Sequence, residues 1–292
     1  MIQPPWTQSL SQSEHDLVLF GLVAAGLALL ATLVRIRFTS RESYATYRVA
    51  SLTANAVVAI AFASYVGLVA AFLLGYRATG SLEHVVYVPL PAARYAWAIR
   101  YMDWVVTVPL LVVELLAISA LGERTLRNAR RIGIVSAIGM IVSGFLGAFV
   151  IASGRSIVAY TVFGLLGAAF FGVLYAVFFR ALVISLPRLP LDARSSYRSG
   201  LVLLLITWLA YPMVYGLVGA FSGAVVVVIG QLALSGADLI AKVGFGTLVH
   251  RTAVLLSRHE EELDPGRPRR PRAPENESVY VSDIRTVAHE QD

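Results

Sequence analysis

Five ionisable side chains fall deep inside apolar runs of this sequence: Arg100, Asp103, Glu114, Asp238 and Lys242. Charge at that depth in hydrocarbon costs roughly 2.5–3.5 kcal/mol per residue even on the lenient insertion scale, so each needs a reason. Three share the run RYMDWVVTVPLLVVELL. There Arg100, Asp103, Thr107, Leu111 and Glu114 recur every three or four residues, which puts them on one face of a helix. Asp103 and Glu114 are then about 16 Å apart along the axis, roughly half the apolar thickness of a bilayer. The row Arg–Asp–Thr–Glu is a ladder of groups that exchange protons or hydrogen-bond. Asp238 and Lys242, in SGADLIAKVGFG, stand i,i+4 and stack on one face. Alone, they read equally well as an ion pair locking a helix and as a functional pair. With Asp103 at similar depth on another run, one cation faces two anions, an expensive arrangement for structural pairing alone. Lys242 is also the single lysine among 24 Lys+Arg. A lysine amine, unlike a guanidinium, forms a Schiff base with an aldehyde, and a protonated Schiff base in a low dielectric needs counter-charges.

The elements that hold these residues follow from composition. The 292 residues are 57% hydrophobic and 14% charged, against about 25% charged in soluble domains. A mean hydropathy of +0.71 points the same way. The absence of cysteine excludes a disulfide scaffold, and the apolar content excludes disorder over most of the chain. The net charge of +6 comes from short clusters between apolar runs, so a nucleic-acid partner is not expected. Seven runs are long enough to cross a bilayer as helices: Asp16–Phe38, Tyr47–Tyr76, Ala92–Ala120, Arg131–Ala152, Ser156–Val183, Tyr197–Phe221 and Gly223–Leu256. Runs such as LVAAGLALLATLV do not alternate, which argues against a barrel. The expected fold is an all-α membrane protein, a seven-transmembrane-helix bundle in the cell (plasma) membrane.

Loop charges set its orientation. Arg35, Arg37, Arg41 and Arg48 flank one connection, Arg124, Arg127, Arg130 and Arg131 a second, and Arg180, Arg188, Arg194 and Arg198 a third. The opposite connections hold only Arg77, Arg94 and Arg155. The arginine-rich side is expected in the cytoplasm, with the N-terminus outside and the C-terminus inside. Residues 1–15 read as an extracellular N-terminal segment without a signal peptide's basic start. Residues 16–256 read as the membrane domain, and 257–292, with its PGRPRRPRAP run, as a mostly disordered cytoplasmic tail. The HVVYV core of the connection between spans two and three suits a small hairpin strand.

Three segments, in order and spacing, resemble the microbial (type 1) rhodopsins: RYMDW…T.PLL…E, Trp208–Pro212 (WLAYP) and DLIAKVGFG. The resemblance covers Asp16 to Leu256. It implies all-trans retinal bound covalently to Lys242 as a protonated Schiff base. It also implies Asp103 as primary proton acceptor, Asp238 as second counter-ion, Arg100 as modulator of the acceptor, and Glu114 as cytoplasmic proton donor. The triplet Asp103–Thr107–Glu114 looks like that of the proteorhodopsin-like and xanthorhodopsin-like outward proton pumps. The implied pocket is apolar and aromatic, with Trp104 and Trp208 sandwiching the polyene. Tyr101, Thr107, Leu111, Met140, Gly144, Tyr211, Pro212 and Tyr215 would line it, with Leu111 at the position that tunes colour in the family.

The sequence departs from the family pattern in places. No histidine falls in the second span, Val108 and Ala137 stand where archaeal pumps hold a Thr–Asp bond, and Gly216–Ser235 carries no acid that could release protons. Tyr65 and Tyr211 are candidates to order water near the charges. Pro212 is a candidate hinge. The expected function is a light-driven outward proton pump and not an enzyme, with protons and lipid as partners and a homo-oligomer as the assembly. The alternatives are a photosensor signalling through a partner, an inward proton pump, and a retinal-free transporter with a structural ion pair.

Overall fold

The computed structural model describes residues 1–39, 48–81 and 84–263. Among these, helices form seven rods. They are α1 (Gln12–Thr39), α2 (Arg48–Gly75), α3 (Tyr95–Ala117), α4 (Glu123–Phe145), α5 (Ile157–Ser185), α6 with α7 (Leu191–Trp208, Ala210–Ala220), and α8 with α9 (Ala224–Leu239, Phe245–Leu263). Six rods are long and apolar enough to cross a membrane. The remaining one is α3, whose Arg100, Asp103 and Glu114 lower its apolar character and are all buried. Lipid offers no hydrogen bonds to a backbone, so each span satisfies its own as a helix. Large apolar side chains such as Phe20, Leu74 and Leu165 are exposed on the outer flank, the arrangement expected where hydrocarbon replaces water.

One end of the bundle carries a three-stranded antiparallel sheet. The strands β1 (Leu10–Ser11), β2 (Tyr76–Ser81) and β3 (His84–Pro89) lie in the order β1-β3-β2. The HVVYV segment is a strand, as its composition suggests, with Ala78 opposite Tyr87 and Leu10 opposite the same tyrosine on its other edge. A capping box starts α1 beside β1: the Ser11 amide donates to Glu14 Oε2 at 2.8 Å, and the Glu14 amide returns to Ser11 Oγ at 3.4 Å. His15 stacks on Tyr87 at 3.7 Å and fastens α1 to β3.

Several ends differ from expectation. The fourth rod starts at Glu123 and not at Arg131, so Arg124, Arg127 and Arg130 lie within α4 rather than in a loop. Arg124 and Arg127 are exposed there and Arg130 is half-buried, so long stems let the first two heads reach water where the helix start projects beyond an apolar layer. The sixth rod begins at Leu191 and breaks at Leu209. Pro212 has no N–H for the Trp208 carbonyl, and its ring crowds that oxygen. The Leu209 amide turns back to Ile206 O at 3.2 Å. The seventh rod winds as a π-turn over Ile240–Gly244, around Lys242. It then continues to Leu263, so Ser257–Leu263, expected in a disordered tail, are helical. The expectation for residues 264–292 lies outside the described residues, as do Arg41 and the side chains of Arg37 and Arg48. Between α4 and α5 the chain turns through three consecutive left-handed residues, Ala152, Ser153 and Gly154.

Candidate functional site

The ladder on α3 and the pair on α8 and the π-turn meet in the middle of the bundle. Lys242 Nζ donates to Asp103 Oδ2 in a close contact and stands 3.2 Å from Asp238 Oδ1. All three side chains are buried. The carboxylates differ in what surrounds them. Asp238 Oδ1 also accepts from Trp104 Nε1 at 3.0 Å and from the Tyr211 hydroxyl at 3.0 Å. Asp238 Oδ2 accepts from the Tyr65 hydroxyl at 3.1 Å and from Arg100 Nη1 at 3.3 Å. Asp103 has Lys242 at one oxygen, and its Oδ1 is buried with no hydrogen-bond partner among the described residues. The Thr107 hydroxyl donates to the main-chain oxygen of Asp103 at 3.0 Å and not to its carboxylate.

Arg100 sits one turn nearer the sheet end and is 1% exposed. Besides Asp238 it reaches the Tyr65 hydroxyl at 3.2 Å, Gln231 Oε1 at 2.8 and 3.2 Å, and Ser235 Oγ at 2.9 Å. These polar contacts offset the cost of burying a guanidinium. Glu114, near the other end of α3, is 1% exposed, and neither carboxyl oxygen has a partner among the described residues. A Cβ at Gly246 would stand 3.6 Å from Glu114 Oε1, so α9 packs closely over this carboxyl.

Beside the charges lies an apolar cavity of about 560 Å³, bounded by α3, α4, α5, α6 and α7. Eight of the expected pocket residues line it: Tyr101, Trp104, Met140, Gly144, Trp208, Tyr211, Pro212 and Tyr215. Leu111 and Thr107 are buried and do not line this cavity. On α3 the wall ends at Val108. Leu111 lies a turn further along, and Thr107 sits in the ladder with Asp103. Trp104 and Tyr211 are shared: they form cavity wall and also donate to Asp238. At the far end, Tyr160 and Tyr215 stack at 4.1 Å, and each hydroxyl donates to the other's carbonyl, at 2.6 and 2.9 Å. This clasp joins α5 to α7.

A family model described as bacteriorhodopsin-like protein matches residues 14–256. The chain belongs to the bacteriorhodopsin-like family. Bacteriorhodopsin-I of Haloarcula marismortui is 29% identical over 212 residues, covering 72% of this chain and 79% of that one. Sensory rhodopsin-2 of Haloarcula vallismortis is 32% identical over 193 residues, covering 66% and 72%. The crystal structure of thermophilic rhodopsin superposes with a TM-score of 0.77 at 26% identity, over 87% of this chain and 98% of that one. The protein is therefore a microbial type 1 rhodopsin with a light-driven function and the family's seven-helix fold. It is a multi-pass membrane protein, and the plasma membrane is the usual location for such proteins.

Membership of the family implies a retinal chromophore, and this rhodopsin's own residues fit one. The cavity falls within the roughly 300–1,000 Å³ typical of small-molecule sites, and its aromatic walls suit a polyene. Two of its wall residues, Trp104 and Tyr211, donate to Asp238, the partner of Lys242. Gln231 and Ser235 were not anticipated from the sequence. Their signal was present, because Gln231, Ser235, Asp238 and Lys242 recur every three or four residues as one polar stripe.

Proposed function

We propose that this rhodopsin is a light-driven pump that exports protons. Retinal, joined to the Lys242 amine as a protonated Schiff base, supplies the absorption of light and an isomerisation that reorients the nitrogen. Asp103 is the acceptor on this reading. It touches Lys242 through one oxygen and keeps the other unpartnered, so its carboxylate has room to take a proton. Asp238 is the fixed counter-charge, held by the side chains of Tyr65, Arg100, Trp104 and Tyr211. Arg100 places a second positive charge beside this group on the sheet side. Thr107 steadies the backbone under Asp103. Glu114 returns a proton to the nitrogen from the opposite end of α3. With the arginine-rich end in the cytoplasm, the order Glu114, Lys242, Asp103 runs outward.

The observation that carries this reading is the asymmetry of the two carboxylates around Lys242: one saturated with donors, the other open. The test is illumination of cells that make the protein, supplied with all-trans retinal, with the external pH recorded. Acidification that a protonophore abolishes supports export. Alkalinisation would make it an inward pump, and the absence of a visible band would leave a retinal-free ion pair.

A photosensor is the second reading, favoured by the identity to sensory rhodopsin-2. It predicts a photocycle without net proton movement whose rate changes when a partner is present. The unpaired Glu114 carboxyl supports the pump instead, since signalling alone gives it no task.

A further inference from the structure

Arg100 and Asp103 stand i,i+3 on α3, a spacing at which a guanidinium and a carboxylate ordinarily meet on a helix. Asp103 also keeps a buried oxygen, Oδ1, without a partner among the described residues. Yet among the described residues no hydrogen bond of Arg100 goes to Asp103. Its donors are taken up elsewhere. Nη1 reaches the Tyr65 hydroxyl at 3.2 Å and Asp238 Oδ2 at 3.3 Å. Nε and Nη2 converge on one atom, Gln231 Oε1, at 3.2 and 2.8 Å. Nη2 also reaches Gln231 O at 3.3 Å and Ser235 Oγ at 2.9 Å. Gln231 is itself held in place. It is 1% exposed, and its Nε2 donates to Ala96 O at 3.3 Å, one turn before Arg100 on α3. A flipped amide would set donor against donor at the guanidinium and oxygen against oxygen at Ala96, so the two contacts fix which end faces Arg100. The Ser235 hydroxyl, which accepts from Arg100, donates to Gln231 O at 2.8 Å. Gly230, next to Gln231, lets α8 come this near to α3: a Cβ there would stand 2.8 Å from Trp97 Cη2.

We propose that Gln231 is a positioning residue that fastens the Arg100 guanidinium to α8 and so withholds its charge from Asp103. A cation beside a carboxylate favours the charged form, whereas an acceptor must take up a proton. Held on the Gln231 side, Arg100 balances Asp238, and the free oxygen of Asp103 stays open. Ser235 is the second point of the same clamp. The other charged and titratable groups around Arg100 and Asp103 are Lys242 and Asp238 on the seventh rod, Tyr65 on α2 and Tyr211 on α7. Arg94 is exposed just before α3, and the charges of α4 lie in its first turns, toward the other end of the bundle. The inference rests on the pump reading and names the side chain that keeps its acceptor open.

The test is a titration of the visible band in darkness, on the full chain with retinal. Protonating Asp103 removes an anion from beside the nitrogen, so the band moves to the red as the pH falls through that transition. Gln231→Leu, close in size, removes the oxygen that holds Nε and Nη2. The guanidinium then turns to Asp103 Oδ1, and the transition is expected to move down by about 1 pH unit or more, the scale of one opposite charge brought close. Gln231→Asn draws the oxygen back by about 1.5 Å and should act in the same direction, which keeps the test decisive if Gln231→Leu forms no pigment. Gln231→Glu leaves an oxygen in place and is expected not to lower the transition. With Arg100→Gln present, adding Gln231→Leu should change nothing, because the effect acts through the guanidinium. A transition that stays or rises in Gln231→Leu and Gln231→Asn overturns the clamp. So does an equal fall in the Arg100→Gln background, which a merely loosened helix contact would give. Cells with the unaltered protein that fail to acidify their medium in light overturn the pump reading instead, since the dark titration needs only the pigment.

Discussion

At the scale of single residues, two aspartates flank one cation and differ in every other contact, so their removal should have different consequences. Asp238→Asn takes the anion from beneath Arg100, Lys242, Trp104, Tyr65 and Tyr211. Breaking a buried pair in this way costs about 3–5 kcal/mol, so the thermal midpoint should fall and pigment yield with it. Asp103→Asn leaves Asp238 to balance Lys242. Pigment should form, and light-driven acidification should stop. Its visible band should move to the red, because excitation shifts positive charge away from the nitrogen and an anion there holds the ground state lower. Calorimetry and absorption spectra of the two variants check this, and the opposite pattern would exchange their roles. The charged part of the site was legible because a carboxylate or amine in an apolar run stands out by cost alone. Gln231 and Ser235, being neutral, carry no such penalty and escape a search for charge, although they follow the same periodicity. That Asp103 keeps a free oxygen while Asp238 keeps none could not be read at all, since it depends on which rods face which.

At the scale of elements, the number of rods and the hairpin strand were legible, because apolar length and composition decide both. The ends were not. Arginine reads as loop, yet Arg124, Arg127 and Arg130 lie within α4, where a long stem can pack while its head reaches toward water. The break in the sixth rod was marked by Pro212 but falls three residues earlier, where the proline's missing donor and ring bulk act. Pro212→Ala supplies the missing N–H to the Trp208 carbonyl. The break should close, and one recovered hydrogen bond should raise stability by about 1 kcal/mol. Because Trp208 and Tyr211 on either side of the break are cavity wall, the same variant should shift the visible band. A raised midpoint with an unmoved band would show that the break does not shape the pocket. In the hairpin, Gly80 has φ +101°, and a Cβ there would meet the His84 carbonyl at 2.2 Å. Gly80→Val should therefore lower the thermal midpoint by disrupting β2 and β3, while the band, set far from the sheet, stays in place.

At the scale of the whole molecule, the direction of transport depends on how the bundle lies in the membrane, not on any single contact. Along α3, Asp103 lies toward the sheet end and Glu114 toward the end where α9 finishes. The acceptor therefore faces outward only if the sheet is outside. The charge distribution argues that it is: Arg77, Arg94 and Arg155 are the arginines near the sheet, while the opposite end carries those of α4, of the α5–α6 connection and of α9. The chain has no cysteine, so a single introduced thiol reports its own side of the membrane without background. Ala78→Cys, exposed on β2, should react with a membrane-impermeant thiol reagent in intact cells. Glu262→Cys, exposed near the end of α9, should react only after the membrane is opened. Reversed labelling would turn the ladder around, and the same sequence of carboxyl, amine and carboxyl would then carry protons into the cell. Labelling and the light-driven pH change must therefore agree in sign: a sheet that labels from outside in cells that turn their medium alkaline would mean that Glu114, and not Asp103, takes the proton from Lys242.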